Sequence, residues 1–126
     1  MPESAPASDW IVLKFGGTSV SQRHRWDTIG RLMRERADGE NAKVLVVVSA
    51  LSGVTNQLQS AIDRADNDAF LADLEHQLRE RHLGFARELG LNAEAVLAER
   101  LTALHALFAD PRRLTRAFDW QADVLA

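Results

Sequence analysis

The segment WIVLKFGGTSVS, residues 10–21, decides the fold of this chain. Its apolar run from Trp10 to Phe15 is short, partly β-branched, and followed by two glycines, which predicts a buried strand that ends in a turn. Lys14 interrupts the apolar run, and Lys43 is the only other lysine among the 15 basic residues of the chain. A lysine one residue before a glycine turn therefore needs a structural or a chemical reason.

A second strand is predicted over Lys43 to Val48, because the nearly unbroken run KVLVVV indicates burial on both faces of a parallel sheet. Residues 22–37 predict an amphipathic helix between the strands, with Ser21 as its N-cap and Gly39 closing it. The apolar face of that helix holds Trp26, Ile29, Leu32 and Met33. Strand, helix and strand form a βαβ unit, in which the carboxyl ends of both strands meet at one edge of the sheet.

The remainder of the chain predicts helices. The loop SALSGVTNQL, residues 49–58, leads into a helix that Thr55 or Asn56 caps. Apolar residues at spacings of three and four then predict three helices. These residues are Leu58, Ile62 and Ala65 in the first helix, Leu71, Leu74, Leu78, Phe85 and Leu89 in the second, and Val96, Leu97, Leu101, Leu104 and Phe108 in the third. Asp110 and Pro111 predict the start of a last helix, which holds Leu114, Phe118 and Leu125.

The fold class is therefore α/β, with parallel strands and a helix-rich C-terminal half, after a disordered lead-in over residues 1–9. Two strands are too few for a sheet that is buried on both faces. The chain also ends at Asp123 to Ala126 without a glycine, a proline or a polar closing signal. We therefore expect residues 10–126 to be an incomplete domain of a truncated chain.

The composition excludes several classes of function. The formal net charge is -3 and the basic residues are spread along the chain, so the sequence predicts no cluster of positive charge that would bind nucleic acid or an anionic membrane. The absence of cysteine excludes disulfides and thiol nucleophiles and suits a reducing cytoplasm, and no segment is apolar for long enough to span a membrane. The histidines, among them His76 and His82, lack the spacing of a metal-binding helix face, so no metal site is predicted.

The two loops that follow the strands predict an anion site. In open α/β sheets ligands bind at the carboxyl ends of the strands, where GGTS (residues 16–19) and SALSGVTN (residues 49–56) should face each other. Glycines let the backbone approach a ligand, peptide N–H groups at the start of a helix attract a phosphate, and the Lys14 ammonium can neutralise its charge. Neither GxxxxGK[ST] nor GxGxxG is present. The alternatives stay open: Lys14 as an edge lysine that reaches water, and the glycines and hydroxyls as ordinary turn and cap residues.

The segment VLKFGGTSV, followed about thirty residues later by VVVSALSGVTNQL, resembles the N-terminus of the aspartate kinases of the amino acid kinase family. The resemblance implies part of a three-layer α/β/α fold and ATP-dependent phosphorylation of the L-aspartate side chain, the entry step to lysine, threonine and methionine. Mg²⁺ would accompany ATP. Lys14 resembles the catalytic, phosphate-stabilising lysine, and Gly16 and Gly17, with Thr18 and Ser19, resemble the loop that holds the transferring phosphoryl group. Ser49 and Thr55 resemble groups near the aspartate substrate.

The chain also departs from the pattern of that family. A glycine-glutamate signature and most of the adenosine site should follow the helical region, yet no glycine occurs after Gly90. We therefore expect the N-terminal part of an aspartate kinase that is inactive alone, forms a homo-oligomer and resides in the cytoplasm. The rival interpretations are another amino acid kinase, of the glutamate or uridylate kinase type, and a non-enzymatic helical interaction module built on the leucine-striped helices.

Overall fold

The computed structural model describes residues 9–110 and 112. The chain divides into two compact units, Met1–Ser52 and Gly53–Ala126, which are considered separately. The predicted lead-in lies outside the described residues except for Asp9. The positions predicted for the last helix, Leu114, Phe118 and Leu125, also lie outside them.

The first unit is a βαβ unit, as predicted. It consists of β1 (Trp10–Phe15), a short helix α1 (Gly17–Val20), α2 (Arg23–Arg34), a π-helical turn (Glu35–Gly39) and β2 (Lys43–Val48). The strands pair in parallel from Trp10 opposite Lys43 to Phe15 opposite Val48. The Asp9 carbonyl accepts a hydrogen bond from the Lys43 N–H at 2.7 Å, which extends the pairing by one residue. The α/β fold class is confirmed.

The two faces of the sheet differ in exposure, so the prediction of strands buried on both faces is wrong for the described residues. Ile11, Leu13 and Phe15 lie on a half-buried face. The opposite face leaves Val12 61% and Leu45 49% exposed. A βαβ crossover places its helix over one face only, and the described sheet has two strands, so the other face has no helical cover from this unit.

The start of α2 also differs from the prediction, since Ser21 is not its N-cap. Gln22 takes the N-cap position and makes no side-chain capping bond. The short helix α1 is absent from the sequence-based prediction, and Ser21 is the residue that follows it. The helix α2 ends at Arg34, and Gly39 closes the π-helical turn instead. Ile29 of the predicted apolar face is buried, whereas Met33 is 37% exposed because it lies at the margin of that face.

The second unit is helical, as predicted, and contains α3 (Val54–Asp63), α4 (Asp68–Glu88) and α5 (Ala93–Ala109). Asn67 caps α4 by accepting from the Phe70 N–H at 3.0 Å, and Asn92 caps α5 in the same way. The predicted capping of α3 by Thr55 or Asn56 is wrong. Gly53 takes the N-cap position with φ +83°, a left-handed conformation that favours glycine, so both polar residues fall in the first turn.

The core of the second unit follows the predicted leucine stripe of α4. Leu71, Leu74 and Leu78 are all buried. The pairing of α4 with α5 buries a cluster formed by Leu83, Ala86 and Ala93, with Leu97 and Leu101 packed against it. Val96 was predicted to be on this face but is 56% exposed, because it lies one position off the i, i+4 row that begins at Ala93. No described helix combines the length and the apolar character that a membrane span needs.

An ion pair joins the end of α4 to the start of α5, where the Arg87 guanidinium donates to the Glu94 carboxylate. This hydrogen bond holds the pKa of Glu94 below its usual value of 4.5. A lowered folded-state pKa gives a contribution to stability that is complete above the unfolded-state value and is lost as the pH falls through the folded-state value. We expect Arg87→Gln to raise the Glu94 pKa, as measured by NMR titration of its side-chain carboxyl carbon. An unchanged midpoint in that variant would contradict the pairing in solution.

Candidate functional site

Two loops lie together at the carboxyl ends of the strands in the first unit. We call Gly16–Ser21 the glycine loop and Ser49–Ser52 the serine loop. The Ser49 N–H donates to the Phe15 carbonyl at 3.1 Å, which fixes the start of the serine loop beside the end of β1. The Ser52 N–H donates to the Ser21 Oγ at 2.8 Å. The predicted juxtaposition of the two strand-end loops is therefore confirmed for residues 49–52, whereas residues 53–56 of the predicted second loop belong to the second unit.

The approach of the loops is closest at Gly17. A Cβ atom placed on Gly17 would lie 3.0 Å from the carbonyl oxygen of Ala50 and 3.6 Å from the Cα of Ser52. Both neighbours are backbone atoms, so they cannot rotate away as a side chain can. Close packing thus favours glycine at this second position of the pair, because a Cβ would require the backbone of the serine loop to shift by a few tenths of an ångström. At Gly16, in contrast, an added Cβ would meet no atom within 4 Å.

The glycine loop presents unsatisfied amide groups. Gly16 is extended, α1 begins at Gly17, and the first helical hydrogen bond runs from the Val20 N–H to the Gly16 carbonyl at 3.1 Å. The N–H groups of Gly17, Thr18 and Ser19 make no hydrogen bond with another residue in the described part of the chain. No acidic side chain lies in this first turn. Amides left free in this way can donate to an anion.

Lys14 lies near the end of β1, opposite Val47 of β2, on the exposed face of the sheet. Its side chain is exposed, and it forms no ion pair with any residue that the structure describes. A solvated ammonium of this kind can reach an anion that binds at the loops, because nothing in the first unit buries it. An inaccessible Lys14 would have excluded the predicted role.

The remaining predicted site residues divide between the two units. Thr18 is exposed and Ser19 half-buried in the glycine loop, and Ser49 is exposed in the serine loop. The first unit thus brings Ser49 together with the glycine loop. Thr55 belongs to the second unit, where it is exposed in the first turn of α3.

Sequence reasoning missed two side chains that support the glycine loop. Ser21 was assigned to a helix cap, but its Oγ donates to the Gly17 carbonyl at 2.5 Å in addition to accepting from Ser52. Trp26 was assigned to the core of α2, but its Nε1–H donates to the Val20 carbonyl at 2.7 Å. An indole N–H can only donate, so a partly buried tryptophan such as Trp26 needs a hydrogen-bond acceptor nearby. Nothing in the sequence indicates which carbonyl serves.

The donor set of the two loops suits phosphate oxygens better than a metal ion. The loops offer hydroxyl groups, backbone amides and the nearby ammonium, but neither contains an aspartate or a glutamate. Mg²⁺ prefers carboxylate and phosphate oxygens. Across residues 9–110 and 112, no group of three histidine, cysteine, aspartate or glutamate side chains is placed to hold a metal. The two loops therefore offer hydrogen-bond donors for an anion and no carboxylate ligand for a metal ion.

Residues 9–124 match the model of the amino acid kinase family. The chain is 35% identical over 101 residues to aspartokinase 3, chloroplastic, of Arabidopsis thaliana, an alignment that covers 76% of this chain and 17% of that protein. It is 30% identical over 111 residues to the chloroplastic bifunctional aspartokinase/homoserine dehydrogenase 1 of Zea mays, covering 86% of this chain and 11% of that protein. It is 48% identical over 48 residues to the aspartokinase of Rickettsia felis, covering 38% and 12%. The chain thus spans less than a fifth of the length of each of these relatives, and no solved structure matches it significantly.

Proposed function

The chain belongs to the amino acid kinase family, and from this membership we propose that it is the N-terminal part of an ATP-dependent aspartate kinase. The proposed reaction transfers the γ-phosphoryl group of ATP to the side-chain carboxylate of L-aspartate and yields 4-phospho-L-aspartate. The names of the relatives support aspartate as the acceptor, since several of them are aspartokinases. The proposed pathway is the biosynthesis of lysine, threonine and methionine.

The observation that carries the proposal is the contact between the glycine loop and the serine loop in the first unit. A phosphoryl donor and its acceptor must be held side by side, and two loops at one sheet edge can each hold one of them. A site split between opposite edges of the sheet could not bring the reactants together.

Each predicted residue has a role in the proposed reaction. A carboxylate oxygen of aspartate attacks the γ-phosphorus atom while the bond from phosphorus to the bridging oxygen of ADP breaks. The Lys14 ammonium neutralises the charge on the transferring group. Four residues of the glycine loop donate to the oxygens of that group, namely Gly16, Gly17, Thr18 and Ser19. Ser49 and Thr55 contact the aspartate substrate. No covalent intermediate with the protein is required.

Mg²⁺ enters the proposed site as the MgATP complex. The loops lack a carboxylate that could hold the ion on its own, so the ion depends on the phosphates for its place. It supplies charge neutralisation of the phosphate groups when bound. The chain's own contribution is to bind and orient those groups and to place the ammonium of Lys14 beside them.

The proposed compartment is the cytoplasm, because a chain without cysteine suits a reducing environment. Two of the three relatives described above are chloroplastic by name, so import of a longer protein into a plastid is the competing outcome. Detection of the native protein in cell fractions would decide between them.

A chimera tests the proposed activity. Residues 10–58 of this chain would replace the corresponding N-terminal segment of the Rickettsia felis aspartokinase, with which the chain shares 48% identity over 48 residues. We expect ADP release that requires both ATP and L-aspartate, because both loops are transferred together. The 126-residue chain alone is expected to release no ADP.

The same chimera separates the rival functions. Glutamate and uridine monophosphate, offered in place of aspartate, should give no ADP release, and preference for either would assign the chain to another amino acid kinase. An inactive but folded chimera would contradict the proposed function and favour the helical interaction module. Aspartate-dependent turnover by the 126-residue chain itself would contradict only its inactivity.

We also propose that the chain forms a homo-oligomer through the exposed face of its sheet. This face carries Trp10, Val12, Leu45 and Val47, all at least 40% exposed, and contiguous apolar surface of this kind favours association. Sedimentation should therefore give a mass above that of the monomer, and Val12→Lys should lower it. Val96→Lys, at a residue 56% exposed on α5, is the control and should leave the mass unchanged. A monomeric wild-type chain would contradict this proposal.

A further inference from the structure

The Ser21 hydroxyl group bridges the two strand-end loops. It donates its proton to the Gly17 carbonyl at 2.5 Å and accepts from the Ser52 N–H at 2.8 Å. A carbonyl can only accept and an amide can only donate, so the direction of both hydrogen bonds is fixed. A single side chain thus ties the glycine loop to the serine loop.

The bridge acts where the local backbone has little stability of its own. Helix α1 has only four residues, and a helix of one turn is not stable without tertiary contacts. The bond from Ser21 to Gly17 satisfies a carbonyl at the first residue of this turn. The Trp26 Nε1–H fixes the adjoining Val20 carbonyl at 2.7 Å, so the far end of the turn is tied to α2.

The bridge also sets the spacing of the loops. Gly17 already lies so close to Ala50 that a Cβ would be 3.0 Å from its carbonyl oxygen. Close packing limits how near the loops can come, but it does not prevent them from separating. The hydrogen bond from Ser52 to Ser21 opposes that separation.

We propose that Ser21 is a positioning residue for phosphate binding, because its hydroxyl bridge holds the glycine loop at a fixed distance from the serine loop. The proposal rests on the proposed function, since it assumes that the glycine loop binds the phosphates of ATP. Ser21 acts through Gly17 and Ser52. It would neither contact the transferring group nor cap α2, whose N-cap is Gln22.

The test uses the ¹⁵N-labelled 126-residue chain with MgATP as the ligand. Amide exchange of Ser52, measured without nucleotide, reports on the bridge. MgATP-dependent NMR shifts of the Gly16–Ser19 amides report on phosphate binding. We expect Ser21→Ala to speed Ser52 exchange and to weaken MgATP binding by about three- to tenfold, the effect of losing one or two ordinary hydrogen bonds. Ser21→Thr keeps the hydroxyl group and should restore both values.

Ser60→Ala is the matched control. The Ser60 Oγ also donates to the carbonyl four residues earlier, that of Asn56 at 3.1 Å, but belongs to α3 and bridges no loops. It should leave Ser52 exchange and MgATP binding unchanged. If Ser21→Ala lowers the free energy of unfolding but binds MgATP as tightly as the wild type, Ser21 is only structural and the proposal is overturned. If MgATP shifts no Gly16–Ser19 amide in the wild type, the glycine loop does not bind phosphate in this chain and the role of Ser21 is overturned, whatever Ser52 exchange shows. ADP release by the chimera then decides the proposed function separately.

Discussion

Lys14→Ala is expected to reduce aspartate-dependent ADP release by the chimera about a thousandfold or more, with the loss mainly in kcat. Phosphoryl transfer leaves little covalent work for the protein, so catalysis depends on positioning and on neutralising charge. Lys14 is the only cationic side chain in the segment from Trp10 to Ser21 that carries the glycine loop. Removing it should therefore slow the chemical step more than it weakens the binding of substrate.

Lys43→Ala is the matched control for Lys14. Both lysines of the chain lie on the exposed face of the sheet, but Lys43 lies opposite Trp10 at the other end of the strands. Four residues of strand separate the two positions, which is about 13 Å. Lys43 lies over the Trp10 ring at 5.8 Å, so its loss removes an exposed cation–π contact and no predicted ligand. The chimera should keep its activity within about twofold.

The variant Lys14→Arg tests whether a positive charge at this position is sufficient for the activity of the chimera. Arginine keeps the positive charge but replaces a compact ammonium with a planar guanidinium, which cannot occupy the same point beside a transferring group. We expect less activity than in the wild type and more than in Lys14→Ala. Full activity of Lys14→Ala, measured by coupled ADP release, would remove Lys14 from the proposed reaction.

Gly17→Ala is expected to have the second-largest effect, because it forces the two loops apart. The new Cβ would lie 3.0 Å from the Ala50 carbonyl oxygen, and that backbone atom can move only if the serine loop moves. Overpacking of this kind typically costs about 1–3 kcal/mol, which chemical denaturation of the chain would measure. The required shift of the serine loop is a few tenths of an ångström, so turnover should fall by less than the roughly hundredfold loss that a displacement of about 1 Å can cause.

Gly16→Ala provides the steric comparison within the same glycine pair. A Cβ at Gly16 meets no atom within 4 Å, and its φ of −77° and ψ of 174° are open to alanine. The free energy of unfolding should therefore stay the same or rise by up to about 1 kcal/mol. Gly39→Ala, in the π-helical turn, is the control for turnover, because a Cβ there also meets no atom within 4 Å. Equal stability of Gly16→Ala and Gly17→Ala would show that the loops are not in close contact in solution.

Regular elements were predictable because their signals are local. The strands Trp10–Phe15 and Lys43–Val48 begin and end where the apolar runs do. The leucine stripe of α4 identified Leu71, Leu74 and Leu78 as buried, since one face of a long helix must pack. The parallel pairing followed from the helix between the strands, and it predicted that both strand-end loops lie at one edge of the sheet.

The incorrect predictions concern residues whose local sequence is compatible with more than one structural role. Serine often caps helices, and Ser21 lies just before the start of α2, but its hydroxyl group hydrogen-bonds to Gly17 and Ser52. Thr55 has similar chemistry, yet the left-handed backbone of Gly53 begins α3 and leaves Thr55 in its first turn. Val96 lies one residue off the buried row of α5. A local sequence pattern does not distinguish between such roles, because the residues that decide between them are distant in the chain.

The sequence by itself determined the strands, the helical second half and the two loops with their lysine and glycines, since alternation, helical spacing and turn residues act over a few neighbours. Only the tertiary structure decided which glycine is closely packed and which serine bridges the loops. Those facts depend on the approach of Ala50 to Gly17 and of Ser52 to Ser21, pairs separated by about thirty residues. Distances between residues so far apart in the chain are set by packing, which no local pattern encodes.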